Sequence, residues 1–389
     1  MAQGRRRHKI FIFLFVALAA IGLGGFALRR PASAYLRSMA VLQRFSNPQA
    51  TGFVAGFAQH TIEERTETAQ TPQGPLQYRL YLPQGVKHPG GILLLHGIHH
   101  LGIEDPRLVG LARAISSAGV AVMTPQIQDL TEYRVTPASI DVIGASAAIF
   151  CQRLGDPKVG VTGMSFAGGL ALLAAARPEY AGNISFVLAV GAHDDMSRVA
   201  RFFVENSIEA PDGSSVGFQA HEYGVLVFAY THLENFFSAK DAPVAREYLR
   251  QKLWENPVPE DTEKKLSPAG RATLDQLLNH RELLHKALLH QIWLHKAEMD
   301  AVSPHGRLSQ LTVPVFLLHG SGDTLIPPSE TLWLAKEVPQ QELKTLLISP
   351  ALVHVTMDKK ITWSQQWALI SLMAQVLDSA SRLPETAPA

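Results

Sequence analysis

Residues 158–177 read KVGVTGMSFAGGLALLAAAR, and few folds accommodate such a stretch. Val159 and Val161 belong to a short buried strand. Gly163-Met164-Ser165-Phe166-Ala167 makes a tight turn, and the Gly/Ala/Leu run after it packs only as a close-fitting helix. A serine at such a bend needs small neighbours on both sides, so that strand and helix backbones approach while the hydroxyl points outward. Ala167 stands where many such turns carry a last glycine; a methyl group is tolerable there, and Gly168 and Gly169 follow at once.

The flanking chain extends this unit into a sheet. Residues 76–82 (LQYRLYL) alternate as a half-buried strand, and 91–96 (GILLLH) form a continuous apolar strand suited to the interior of a parallel sheet. A helix at 108–118, a strand at 120–124, a helix at 136–154 capped by Thr136 with Pro137 at its first position, and a strand at 184–190 follow. This alternation implies right-handed crossovers and an α/β fold with a mostly parallel central sheet covered by helices on both faces. Between residues 196 and 311 the alternation gives way to helical patterns, including 244–254 and a long helix over 273–297; this is a helical cap insertion. The sheet then resumes with strands at 313–319 and 343–348 and helices at 329–337 and 363–381. The core therefore comprises 76–195 and 312–383, preceded by a neck and first hairpin at 35–75 and followed by a tail at 384–389.

Residues 1–34 have a different character. Arg5–Lys9 (RRRHK) precede an apolar run over residues 10–28, ended by Arg29-Arg30. About 19 apolar residues suffice to cross a hydrocarbon core of roughly 30 Å as a helix. The basic cluster stays on the cytoplasmic side, which sends the rest of the chain to the opposite, periplasmic or extracellular face. The alternative is a signal peptide cleaved after the small-x-small site Ala32-Ser33-Ala34, giving a secreted protein; the length of the run and the two arginines favour an uncleaved anchor.

Lysine plus arginine (35) balance aspartate plus glutamate (34), which excludes a nucleic-acid partner as the default and favours a small-molecule substrate. The one cysteine, Cys151, lies in an apolar helical stretch and reads as a buried, inert thiol. Nucleophilic serine chemistry needs a base and a carboxylate to orient it. Asp323, in HGSGD after a buried strand, and His354, in a loop after the last strand, provide both. In an open α/β sheet ligands sit beyond the carboxyl ends of the strands, where residues distant in sequence meet.

With these pieces the chain resembles an α/β-hydrolase over residues 76–381 apart from the insertion. The resemblance rests on His96-Gly97 after the third core strand, GMSFA at the bend, HGSGD at 319–323 and the late His354. The insertion resembles the variable cap that such enzymes place between their sixth and seventh core strands. The resemblance implies Ser165 as nucleophile, His354 as general base and then acid, Asp323 as the residue that orients it, and the backbone N–H groups of Ile98 and Phe166 as the oxyanion hole. It implies no cofactor. The family's late histidine often follows a glycine, whereas His354 follows Val353. Asp194 and Asp195, at the end of the preceding strand, are the alternative acids.

His99, His100, Asp105, Tyr133 and Arg134 are candidates for the rim of the site. His280, His285, His290 and His295 recur every five residues. That spacing turns successive side chains about 140° around a helix, so these four do not converge on one ion, and no metal is expected. The apolar stripe Leu274, Leu277, Leu278, Leu284 and Leu288 reads as packing between cap helices, with membrane contact as the alternative. The expected function is hydrolysis of a carboxylic ester or related acyl compound through an acyl-enzyme. An acyltransferase with the same triad and a non-catalytic binding protein on this fold are the alternatives.

Overall fold

The computed structural model describes residues 32–353, 356–357 and 362–381. The expected anchor at residues 10–28 therefore lies outside the described residues. Among the described residues no helix is long and apolar enough to cross a membrane.

The main sheet has eight strands: β1 (Ile62–Thr71), β2 (Gly74–Pro83), β3 (Gly91–Leu95), β4 (Ala121–Pro125), β5 (Val159–Met164), β6 (Ile184–Val190), β7 (Val315–Gly320) and β8 (Leu343–Ser349). Their spatial order is β1-β2-β4-β3-β5-β6-β7-β8. β2 pairs antiparallel with both β1 and β4, and every later pairing is parallel. The two-residue period of a strand divides the apolar residues between two faces. Leu93, Leu95, Val161, Val187 and Leu317 pack on one side with α3 (Pro137–Leu154) and α4 (Phe166–Ala176). Ile92, Leu94, Phe186, Leu188 and Phe316 pack on the other with α2 (Pro106–Ser117) and α12 (Trp363–Ser381). A strand such as β3, buried at all five positions, is therefore apolar without alternation.

The segment expected as a neck is instead packed onto the domain. Residues 32–46 form a helix, α1, whose Ala40 and Val41 are fully buried. Its Arg44 is 8% exposed and donates to Ala55 O, Ser117 Oγ and Phe57 O, each at 2.8 Å. Thr136 precedes α3 as expected, but its hydroxyl bonds to Asp129 and not to the helix N-terminus, so Pro137 starts the helix without a side-chain cap.

Between β6 and β7 lie α5 (Met196–Glu205), α6 (Glu222–Thr231), α7 (Ala242–Leu253), α8 (Pro268–Asn279), α9 (His285–Leu294) and α10 (Lys296–Ala301), with a small hairpin pairing Ser207–Glu209 and Ser215–Gly217. The single long helix expected over 273–297 is broken at His280 and His295. His280 takes φ −137°, ψ 48°, outside the helical region, and a short 3-10 turn over Arg281–Leu284 separates α8 from α9. Leu274, Leu277 and Leu288, from either side of the break, enter one core with Val225, Ala229 and Leu249. The leucine stripe is thus internal packing. The exposed apolar residues of this region are Leu283, Trp293 and Leu294.

The two ends of the insertion meet. His305 N–H donates to Asp194 O at 3.0 Å, and Met196 N–H to Ser303 Oγ at 2.9 Å. Near its middle, Tyr133 Oη of the core donates to Leu253 O at 3.0 Å. α11 (Ser329–Glu337) follows β7 and packs beside these ends.

Removing the Arg44 guanidinium deprives two buried acceptors and one half-buried acceptor of this donor. Arg44→Ala is expected to lower unfolding free energy by about 2–4 kcal/mol in urea denaturation, whereas an exposed control such as Arg65→Ala changes it little.

Candidate active site

The turn between β5 and α4 holds Ser165 at φ 56°, ψ −134°. A non-glycine residue in that region costs on the order of 1–3 kcal/mol and persists only when its surroundings dictate it. Ser165 N–H donates to Val190 O at 2.8 Å, tying the turn to β6, while Gly168 N–H donates to Ser165 O at 2.9 Å. The small residues are required by the close approach. A Cβ at Gly163 would lie 2.4 Å from Ala167 O and 2.7 Å from Gly168 Cα, and one at Gly169 would lie 2.4 Å from His193 Cε1. Ala167 is fully buried, so its methyl group is accommodated where a glycine is common.

The loop after β3 comes up against this turn: a Cβ at Gly97 would stand 3.3 Å from Ser165 Cβ. His96 fixes the loop. Its Nε2 accepts from Ile127 N–H at 3.0 Å, which places the ring proton on Nδ1, 2.8 Å from Gly97 O. Burial pulls the His96 pKa down to about 4, so the ring is a neutral structural clamp. Ile98, Ser165 and Phe166 then share the wall of a cleft of about 910 Å³ between core and cap. Behind Phe166 stands His193, its ring 5.2 Å away and its Nε2 bonded to Val302 O at 2.9 Å.

Asp323 follows β7 and is 2% exposed. Its Oδ1 accepts from Leu325 N–H (2.9 Å) and Ile326 N–H (3.1 Å), and its Oδ2 lies 3.5 Å from His319 Nε2. That same oxygen is 3.3 Å from where a Cβ at Gly191 would stand, so the carboxylate sits beside the end of β6. His319 is itself occupied by Ile326 O and the Thr331 hydroxyl. His354 lies outside the described residues, between Leu352–Val353 and Thr356–Met357, which pair with each other. A Cβ at Gly320 would come within 2.4 Å of Leu352 O, so the segment leading to His354 runs against the end of β7, three residues from Asp323.

Residues 124–355 match the sequence model of the alpha/beta hydrolase fold, well over half of the chain. The protein belongs to the α/β-hydrolase family. Similar solved structures include the 2,6-dihydroxy-pseudo-oxynicotine hydrolase, at 14% identity over 81% of this chain and 67% of that one, with a TM-score of 0.46. An esterase from Pyrobaculum calidifontis is 14% identical over 89% and 90% with a TM-score of 0.45, and Est1E from Butyrivibrio proteoclasticus is 13% identical over 82% and 99% with a TM-score of 0.45. No curated protein matches the chain.

In this α/β-hydrolase the expected rim residues have distinct surroundings. Asp105 caps α2, accepting from Arg107 N–H at 2.8 Å and from the Arg107 guanidinium at 2.7 Å. Burial raises its pKa, but the hydrogen bonds and charge of Arg107 outweigh this and leave it lowered. His99 stacks on His100, and His100 on Trp254 of the cap at 4.8 Å, forming a column from the core loop to the cap. Tyr133, at φ 64°, lines the cleft, whereas Arg134 is held at the surface by Asp129 and Glu132. On the other side of Ser165 a second cavity of about 580 Å³ is lined by Phe45, His99, Asp105, Arg107 and Leu111 among others.

The alternative acids are engaged elsewhere. Asp195 caps α5 through Ser197 N–H and Arg198 N–H. Asp194 is fully buried, with Arg198 Nη2 at 2.9 Å and His305 Nδ1 at 3.2 Å from its Oδ2, and Glu330 of α11 accepts from both aspartate N–H groups. Burial and the neighbouring Glu330 push the Asp194 pKa up to about 6 despite Arg198.

Sequence reasoning missed the far wall of the cleft, which Phe203, Tyr223, Phe228, His232, Glu298 and Met299 supply. Burial drives the Tyr223 phenol well above its ordinary range, and burial together with His295 pulls His232 down to about 4. In the sequence they are indistinguishable from ordinary cap residues, because the helices that carry them are short and their pairing is set by tertiary packing.

The depressed pKa of His96 has a stability consequence. Below pH 6.5 the unfolded chain takes up a proton that the folded ring refuses until about pH 4. The contribution is complete above pH 6.5 and is lost as pH falls. The stability advantage of wild type over His96→Gln, measured by urea unfolding, is therefore expected to narrow between pH 7 and pH 4.5.

Proposed function

We propose that this α/β-hydrolase cleaves a carboxylic ester or related acyl compound through a covalent acyl-enzyme at Ser165. The observation that carries the reading is the strained Ser165 backbone opening onto the cleft that Ile98 and Phe166 also line. In this mechanism His354 takes the Ser165 hydroxyl proton as Oγ attacks the carbonyl carbon, and Asp323 holds the imidazole in the required tautomer. The N–H groups of Ile98 and Phe166 receive the developing oxyanion. The intermediate collapses as His354 returns the proton to the leaving alcohol. Water, deprotonated by His354, then releases the acid.

Val135, Met196, Phe203, Val227, Phe228 and Leu325 make the large cleft predominantly apolar, which suits the acyl chain. The smaller cavity beyond Ser165 leaves room for the alcohol. A fluorophosphonate probe is expected to label the wild type and not Ser165→Ala, and p-nitrophenyl esters are expected to be hydrolysed at least 10³-fold more slowly by Ser165→Ala. Asp323→Asn should lower kcat about 10²–10⁴-fold with little change in KM. Labelling without hydrolysis, but with ester formation when an acceptor alcohol is added, would instead indicate an acyltransferase. Absence of labelling would indicate a binding protein.

The domain is proposed to work on the non-cytoplasmic side, held by residues 10–28, whose apolar run behind Arg5–Lys9 supports an uncleaved anchor. Full-length protein is expected in the carbonate-washed membrane pellet, and protein lacking residues 1–31 in the supernatant with esterase activity retained. Recovery of the full chain as a soluble species would overturn the anchor.

A further inference from the structure

Three cap residues from two separated segments come together beside the cleft. His232 follows the last residue of α6, His295 stands between α9 and α10, and Glu298 lies in α10. The rings of His232 and His295 stack with centroids 3.8 Å apart and planes 27° apart, and a turn of one ring about its Cβ–Cγ bond brings a nitrogen of each toward a common point. The ligand atoms of all three side chains lie within 4.8 Å of one another.

The detail around His295 is informative. Its Nδ1 is closed off from solvent and makes no aligned hydrogen bond, yet Glu298 Oε2 is 3.2 Å away. Two ligands about 2.0–2.2 Å from a tetrahedral zinc ion stand roughly 3.3 Å apart, so this separation is that of neighbouring ligands. On the other edge of the ring, the Asn235 side-chain amide lies 3.0 Å from Nε2. Its oxygen and nitrogen interchange by a half-turn, and the oxygen then accepts Nε2–H, an outer contact of the kind that fixes a metal-binding imidazole. His232 and Glu298 both line the cleft.

We propose that His232, His295 and Glu298 form a site for a first-row divalent cation, zinc being best matched to two imidazoles and a carboxylate, with its remaining coordination position facing the cleft. The ion would join the end of α6 to the α9–α10 junction and so brace the wall opposite Ser165. The other histidine–carboxylate cluster among the described residues, Asp194, His305 and Glu337, is a poorer host. There the Arg198 guanidinium already stands 2.9 Å from the aspartate oxygen that His305 approaches, and it repels a cation.

The test uses the full chain carrying Ser165→Ala, so that binding is read without turnover and independently of the esterase reading. Zinc titrated against a chromophoric chelator is expected to bind at one equivalent and to raise the melting temperature. Cobalt is expected to give the intense visible bands of a four-coordinate ion. His232→Ala with His295→Ala should abolish binding, Glu298→Gln should weaken it at least tenfold, and His305→Ala should leave it unchanged. Glu298 is exposed, so Glu298→Gln tests the site even if the double variant does not fold. No saturable binding, equal affinity in Glu298→Gln, or loss of binding in His305→Ala would overturn the proposal.

Discussion

The approach of the β5 and α4 backbones is the constraint on which the rest depends. With a carbonyl oxygen only 2.4 Å from the position of a Cβ at Gly163, the chain has no room for any larger residue, and Ser165 is driven to φ 56°. That turn is not stable alone. The bond from Ser165 N–H to Val190 O needs β6 in register beside β5, and the contact with Gly97 needs β3 on the other side. Three parallel strands and a helix are therefore coupled to one backbone torsion. The strain is offset by burial of the sheet on both faces, where each strand contributes alternate residues to two separate cores.

Much of this was legible in the sequence because it depends on short-range rules. A run such as GILLL is a buried strand by composition alone, and GMSFAGG announces a close strand–helix approach. The helices at Ser329–Glu337 and Trp363–Ser381 could be bounded from their periodicity and flanking residues. Failures occurred where packing overrides local pattern. The leucine periodicity over 273–297 continues through His280, but the helix breaks there, and the period of a helix does not register a turn between two helices. Residues 35–46 looked unremarkable because their partners, Ala118 and Ile370 among them, are far away in the chain.

The candidate site divides along the same line. Ser165, Asp323, Ile98 and Phe166 are fixed by strand ends, which sequence reasoning locates well. The opposite wall is fixed by how six helices settle on one another, which it does not locate. Several polar residues around the site have structural roles. His96 and His319 have both ring nitrogens engaged, and Asp105 and Asp195 cap helices. A histidine or aspartate at a strand end is thus as often a clamp for the loop as a participant in chemistry.

The meeting of Asp194 with His305 and of Met196 with Ser303 closes the insertion on itself at one point of the sheet. A segment whose ends are already adjacent adds no span that the core must bridge. It can lengthen, shorten or be replaced wholesale while β6 and β7 keep their pairing. The bend at Ser165 can therefore change only at the expense of the fold, whereas the wall that faces it is carried by a segment whose length the sheet does not constrain.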